Sequence, residues 1–302
     1  MAGYIILWVA LLICSTRADN KKLVWFFIIL LSLVAGLRGV DVGTDTKTYA
    51  DIYGWIAEGQ AKYIEPGWWL LNRLVSWTGG GFQLLLWLVA LLTLVPVGWV
   101  IQRDSPNPML SLFFYFSLFI FLNSLNLARQ IMAISYVLVG YSMYARGRRW
   151  WFVVWTLVAS TFHASALIVL PIFFVDWIKL RPGVVAILAV LSLVAGTVAI
   201  GPLMSVAAGD YASYLENSPF GYRKTSLTSA LALSLMLNVL MAVIYATSRR
   251  ELRNNFWIKV FVAGIIVNNL TFRLLLGSRV IIFFNVAQII FFVLYIINDR
   301  FK

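Results

Sequence analysis

The sequence is poor in everything that builds a metal site or a soluble surface. Its one cysteine, Cys14, lies inside an apolar run, so no internal disulfide can form. One histidine, His163, and no Asp-x-Asp pair leave too few ligands for a zinc or divalent-metal centre. No phosphate-cradling glycine loop is present either, so the expectation is chemistry without a bound metal or cofactor. Charged residues make up only 12% of the 302, with 12 acids against 24 lysines and arginines. A soluble domain needs a polar surface to meet water, and this composition cannot supply one. In a soluble protein a net charge of +12 would suggest nucleic acid. Here the excess of basic residues has a topological use, and no nucleic-acid partner is expected.

What the chain has is apolar length. Hydrophobic residues are 62% of it and the mean hydropathy is +0.87. Runs such as Leu23 to Leu37, Phe82 to Ile101, Met109 to Leu122, Val184 to Ile200, Leu227 to Ala246 and Val280 to Ile297 approach the length needed to cross a hydrocarbon core of about 30 Å. Helices satisfy their backbone hydrogen bonds internally, as lipid demands, and the runs lack the alternation of a transmembrane barrel. No Lys or Arg precedes the first run, whereas Arg17, Lys21 and Lys22 follow it, so it reads as a short anchor rather than a cleaved signal.

Basic clusters fall at alternate gaps between the runs: Arg17, Lys21 and Lys22; Arg103; Arg146, Arg148 and Arg149; Lys179 and Arg181; Arg249, Arg250, Arg253 and Lys259; Arg300 and Lys302. Placing them in the cytoplasm puts the N-terminus outside, the C-terminus inside, and gives about eleven crossings. The count requires Trp150 to Ile178 to be two short helices meeting near His163. The expected fold is an all-α polytopic membrane bundle of one integral domain, residues 1–302, with outer loops at 39–81 and 204–226. In the first loop Thr44 is positioned to cap a helix whose Tyr49, Ile52, Tyr53 and Ile56 share one face. Pro66 opens a second, interfacial helix with Trp68, Trp69 and Trp77 at the membrane surface and Asn72, Arg73 and Ser76 on its polar side.

Some basic residues remain on the outer side, several against apolar helices, where a central charge costs roughly 2.5–3.5 kcal/mol. Arginine suits phosphate there, because its fork makes two parallel hydrogen bonds and keeps its proton. Arg38 ends the second run and is either an interfacial anchor or an anion contact. Arg129 belongs to a polar stripe with Asn123, Asn126 and Gln130, which is either helix-packing glue or part of a site. Arg279 opens the last run and either snorkels or binds an anion. His163 sits among Ser160, Thr161, Ala164 and Ser165, as a satisfied buried side chain or as a base. Asp45 stands near Arg38 in sequence. Glu65 precedes Pro66, where a helix N-terminus favours an acid.

Taken in order, these segments are familiar. Arg38 followed by Val42-Gly43-Thr44-Asp45, Tyr49, Glu65-Pro66-Gly67 and Leu71-Asn72 resembles the first outer loop of EpsG-type, Wzy-like polysaccharide polymerases. Asn126-Leu127-Ala128-Arg129-Gln130, Phe162-His163-Ala164-Ser165-Ala166 and Arg279-Val280-Ile281-Ile282-Phe283-Phe284 resemble later segments of the family in the same register. The chain is short for the family, and Phe283 stands where an aromatic hydroxyl is common. The resemblance implies a glycosyltransferase at the outer face of a bacterial inner membrane. It would transfer a glycan from polyprenyl diphosphate to a hydroxyl of a second lipid-linked repeat unit. On that reading Arg38, Arg129 and Arg279 hold the diphosphate, and His163, Asp45 or Glu65 supplies the base. Tyr49, Asn126 and Gln130 contact the glycan. Donor, acceptor and membrane lipid are the expected partners, with a chain-length regulator protein as a further candidate. An O-antigen ligase shares the donor and leaving group. A lipid-linked oligosaccharide flippase or transporter would carry basic residues along its whole pathway, whereas these gather at one face.

Overall fold

The computed structural model describes residues 2–16, 20–60, 64–198, 227–248, 250–272 and 277–299, and among them every regular element is a helix. The expected loop at 204–226 and the basic residues Arg17, Lys62, Arg223, Lys224, Arg249, Arg273, Arg300 and Lys302 lie outside the described residues. Two compact units result, one of residues 1–173 with 286–302 and one of residues 174–285. Two stretches, Phe82–Asp104 and Arg279–Ile297, are long and apolar enough to cross a membrane by length and composition, and several shorter apolar helices accompany them.

The first unit contains α1 (Ala2–Cys14), α2 (Lys21–Gly36), α3 (Thr46–Ala57), α4 (Pro66–Trp77), α5 (Phe82–Asp104), α6 (Pro108–Ser117), α7 (Ile120–Ser124), α8 (Ala128–Ala145) and α9 (Arg149–Ser160). The chain returns to it late through the C-terminal helix, which packs on α6 and α5. α8 is its centre: nearly every side chain is buried, and α9 and α5 cover it from two sides. The run 150–178 is two helical segments that meet at His163, α9 and a 3₁₀ helix over Ala164–Trp177. The run Met109 to Leu122, by contrast, is not one helix. It breaks at Leu118 and Phe119, where Phe119 adopts a left-handed φ of 61° and begins α7.

In the 39–81 segment α3 starts at Thr46, so Asp45 and not Thr44 holds the cap position. The reason is local: the Thr44 amide and hydroxyl are engaged by Asn126 and Asp45 instead. The face of α3 carrying Tyr49, Ile52, Tyr53 and Ile56 does pack inward. α4 keeps Trp69 and Trp77 outward as expected and departs from the expectation at Trp68 and Asn72. Trp68, Asn72 and Val75 are buried, while Trp69, Leu70, Leu74 and Trp77 are exposed. Trp68 is therefore a core residue, 1% exposed, and Asn72 leaves the polar side expected for it. Arg73 reaches across to the last carbonyls of α3, Ile56 and Ala57, at 3.0 and 3.1 Å, which supplies acceptor-rich helix ends with a cation.

The second unit is built from α10 (Pro182–Val198), α11 (Leu227–Thr247), α12 (Arg250–Arg253), α13 (Phe256–Thr271) and α14 (Gly277–Asn285). Its helices are tied by amides. Asn238 and Asn269 exchange side-chain hydrogen bonds at 2.7 and 3.0 Å, and Asn269 also donates to Ser192 at 3.0 Å. Such bonds hold apolar helices together where hydrocarbon offers no hydrophobic drive. Lys259, grouped by sequence with a cytoplasmic basic cluster, is 8% exposed and pairs with Asp176 at 2.7 Å.

Candidate functional site

The site begins with a helix start. Pro66 at the first turn of α4 fixes the entry angle, and Glu65 occupies the cap position without its side chain bonding the helix. The exposed N–H groups of that turn find another acceptor: Gly67 and Trp68 donate to the Thr161 carbonyl at 2.8 and 3.3 Å. Only glycine permits this approach. A Cβ at position 67 would lie 2.4 Å from Thr161 Oγ1 and 2.9 Å from its carbonyl oxygen. Because Thr161 caps α4, the Glu65 carboxylate is free to turn outward. Because His163 follows Thr161 closely, the carboxylate meets its imidazole, with Oε1 3.4 Å from Nδ1.

The other carboxylate oxygen accepts from Arg129 Nη1 at 2.6 Å. Arg129 opens α8, and its position depends on the turn before it. The Thr44 amide donates to Asn126 Oδ1 at 2.8 Å, and Gly43, at φ 92°, leaves no room for a Cβ, which would stand 2.2 Å from the Leu125 carbonyl oxygen. The Gly43-Thr44 turn thus clasps the turn that launches Arg129. Above the ion pair lies Tyr49, with its ring 6.0 Å from the Arg129 guanidinium carbon and 5.5 Å from the Trp68 ring. The side chains of Glu65, Arg129 and His163 are each between a fifth and about a quarter exposed, neither core nor free surface. Three segments far apart in the sequence, at Glu65, Arg129 and His163, thus meet at one carboxylate.

Against models of known families, residues 5–302 match that of the EpsG family. The chain belongs to the EpsG family. No curated protein and no solved structure matches it. With its apolar helices, this EpsG-family chain is a membrane protein.

The sequence candidates of this EpsG chain divide by place. Glu65, Arg129, His163 and Tyr49 stand together. Asn126 serves the loop clasp. It is not in one helical stripe with Arg129, because the chain turns at Leu125–Leu127 between α7 and α8. Gln130 is 3% exposed within the bundle. Asp45 accepts from the Thr44 hydroxyl at 3.2 Å. Arg279, exposed, belongs to the second unit. Arg38 is 7% exposed; its Nη1 donates to the Ala35 carbonyl at 2.6 Å, and its Nε and Nη2 are buried with no partner among the described residues. Gly67 and Thr161, which assemble the site, escaped the sequence reading, since their contact is made by backbone. Among the described residues no group of three or more His, Cys, Asp or Glu side chains comes together.

Burial by itself would raise the Glu65 pKa. The His163 hydrogen bond, its own backbone N–H and the charges of Arg129 and His163 outweigh that and hold it at about 2, below the ordinary 4.5. Burial raises the Tyr49 phenol, against the pull of Arg129. A depressed carboxyl stabilises the fold above its unfolded pKa and loses that contribution as pH falls through its folded one, here between about 4.5 and about 2. The full shift corresponds to at most about 3 kcal/mol, reduced by the solvent that reaches the pair. In detergent, wild type is expected to exceed Glu65→Gln in thermal midpoint at neutral pH, and this gap should close on acidification. A gap that stays constant down to about pH 2.5 contradicts the assignment.

Proposed function

We propose that this EpsG-family chain is a polysaccharide polymerase. It transfers a glycan from polyprenyl diphosphate to a hydroxyl of another lipid-linked repeat unit, at the outer face of a bacterial inner membrane and without a metal. The observation that carries the reading is the Glu65 carboxylate shared between His163 and Arg129. Its contact with Nδ1 orients the imidazole, and Nε2, the nitrogen farther from the carboxylate, takes the proton from the attacking hydroxyl. The hydroxyl oxygen forms the new bond to the anomeric carbon as the bond to the diphosphate oxygen breaks. Arg129 faces the departing charge, with Arg38 of the same unit as a further contact to it. Tyr49 offers a ring face at the same spot, suited to the apolar side of a sugar.

The experiment is the glycan profile of a deletion strain. Single repeat units accumulating on lipid, with long chains restored by the wild-type gene, is the expected result. Chains of full length left unattached to their final acceptor point to a ligase instead. In excess chelator the purified protein is expected to keep its activity with a lipid-diphosphate donor, and complete loss restored by magnesium or manganese counts against the arginine account.

The topology that fits this reading has about eleven crossings, with the N-terminus outside and the C-terminus cytoplasmic. Single cysteines in a Cys14→Ser background should label from outside at Lys62 and Asn217, and only after permeabilisation at Arg148 and Arg250. Outside labelling at position 250 would overturn the arrangement, including two crossings between residues 150 and 178.

A further inference from the structure

Arg38 is the least satisfied charge among the described residues of the first unit. A guanidinium keeps its proton, so burial cannot be relieved by neutralisation. Nη1 has one local bond, to the carbonyl three residues back, while Nε and Nη2 have none. No carboxylate pairs with it among the described residues; the ionisable groups that act on it are the phenols of Tyr49 and Tyr4. A buried cation in this condition is costly unless an anion joins it.

The helix that leads to Arg38 carries an uncovered apolar stripe. Phe26, Ile29, Leu33 and Leu37 recur at helical spacing on one side of α2 and are 58%, 56%, 39% and 64% exposed. The stripe is about 16 Å long and ends one residue before Arg38. Nearby, α1 and α2 each pack on α6 but scarcely on each other, and Tyr4, in the first turn of α1, lies close enough to act on the guanidinium. The second helix therefore offers an apolar track that terminates at an unpaired arginine, which is the outline of an isoprenoid chain with a phosphorylated head.

We infer that α2 is the docking track of an isoprenoid diphosphate, its chain along Phe26, Ile29, Leu33 and Leu37 and its diphosphate on Arg38. The inference rests on the reading of the chain as a lipid-diphosphate enzyme and adds where the lipid lies. Releasing the single bond to Ala35 lets the guanidinium swing toward Leu37 and Gly39, both exposed, where a diphosphate takes two parallel hydrogen bonds.

The test uses the full chain in detergent with a short isoprenoid diphosphate that carries a diazirine on its chain. Photolabel is expected on α2 between Phe26 and Leu37. Arg38→Met should reduce labelling by about tenfold or more, as loss of a charge-assisted pair does, while the ligand-free protein melts no lower than wild type because a buried unpaired cation is gone. Leu33→Trp, which fills the track and leaves Arg38 in place, should also lower labelling with its thermal midpoint unchanged. Label that falls outside α2, or is undiminished in both variants, overturns the inference. So does competition by phosphatidylglycerol as strong as that by unlabelled isoprenoid diphosphate, which would make the stripe an ordinary bilayer contact. The reaction and the track fail separately: α2 labelled in a protein without transferase activity supports the track alone, and full activity with α2 unlabelled removes it.

Discussion

Arg129→Lys is expected to be nearly as inactive as Arg129→Ala, with both proteins accumulating in the membrane at wild-type levels. The geometry says why a retained charge is insufficient. One guanidinium nitrogen is already committed to Glu65 at 2.6 Å, and on the proposed function the remainder of the fork serves the diphosphate. An ammonium placed here can keep the ion pair or meet the substrate, and it lacks the planar fork to do both. Loss of a preorganised donor to a developing charge costs about 10²–10³ in rate. The measurement is glycan length distribution in a complemented deletion strain, normalised to protein level. Long glycan from the lysine variant removes the fork argument. Full activity in the alanine variant removes Arg129 from the site, and activity that merely tracks protein level makes its role structural.

His163→Ala is expected to lose about 10²–10⁴ in transfer rate, the usual worth of a positioned base. His163→Gln, which keeps a polar side chain but no basic nitrogen, should be as inactive. Glu65→Gln is the informative companion. It preserves shape while removing the charge that orients the imidazole and pairs with Arg129, so its rate should lie between wild type and His163→Ala. If the histidine only packs between the two turns, the glutamine variant will polymerise normally. If Glu65 were itself the base, Glu65→Gln would be the most damaged of the set, and the roles of the dyad would exchange.

Much of this was readable before any coordinates. Length and apolar runs specify a helical membrane chain. Pro66, and the spacing of Tyr49, Ile52, Tyr53 and Ile56, specify two helices between residues 39 and 81. The misreadings share a physical origin. α4 was expected to keep Asn72 on a wet face and Trp68 at the membrane surface, yet both turn inward, while Trp69 and Trp77 lie outward as expected. Where the surroundings are themselves apolar, hydrophobic spacing no longer says which face is buried. The break at Phe119 carried no glycine or proline to announce it. The charges at Glu65, Arg129 and His163 were identifiable one by one, but their meeting depends on the Thr161 carbonyl, and a backbone acceptor leaves no mark in a sequence.

That carbonyl also orders events during synthesis. The first turn of α4 emerges from the ribosome roughly a hundred residues before Thr161 does, and chains begin to organise from the N-terminal end as they are made. Until α9 and the turn after it have been made, the Gly67 and Trp68 amides lack the Thr161 carbonyl, and Glu65 has no histidine beside it. The Glu65 cluster is thus completed late in synthesis rather than by local folding of its own loop. A nascent chain arrested before residue 161 should expose the 39–81 segment to protease, and one arrested well beyond it should protect that segment. On the proposed function, biogenesis itself would then keep an unfinished chain from acting on lipid-borne sugar.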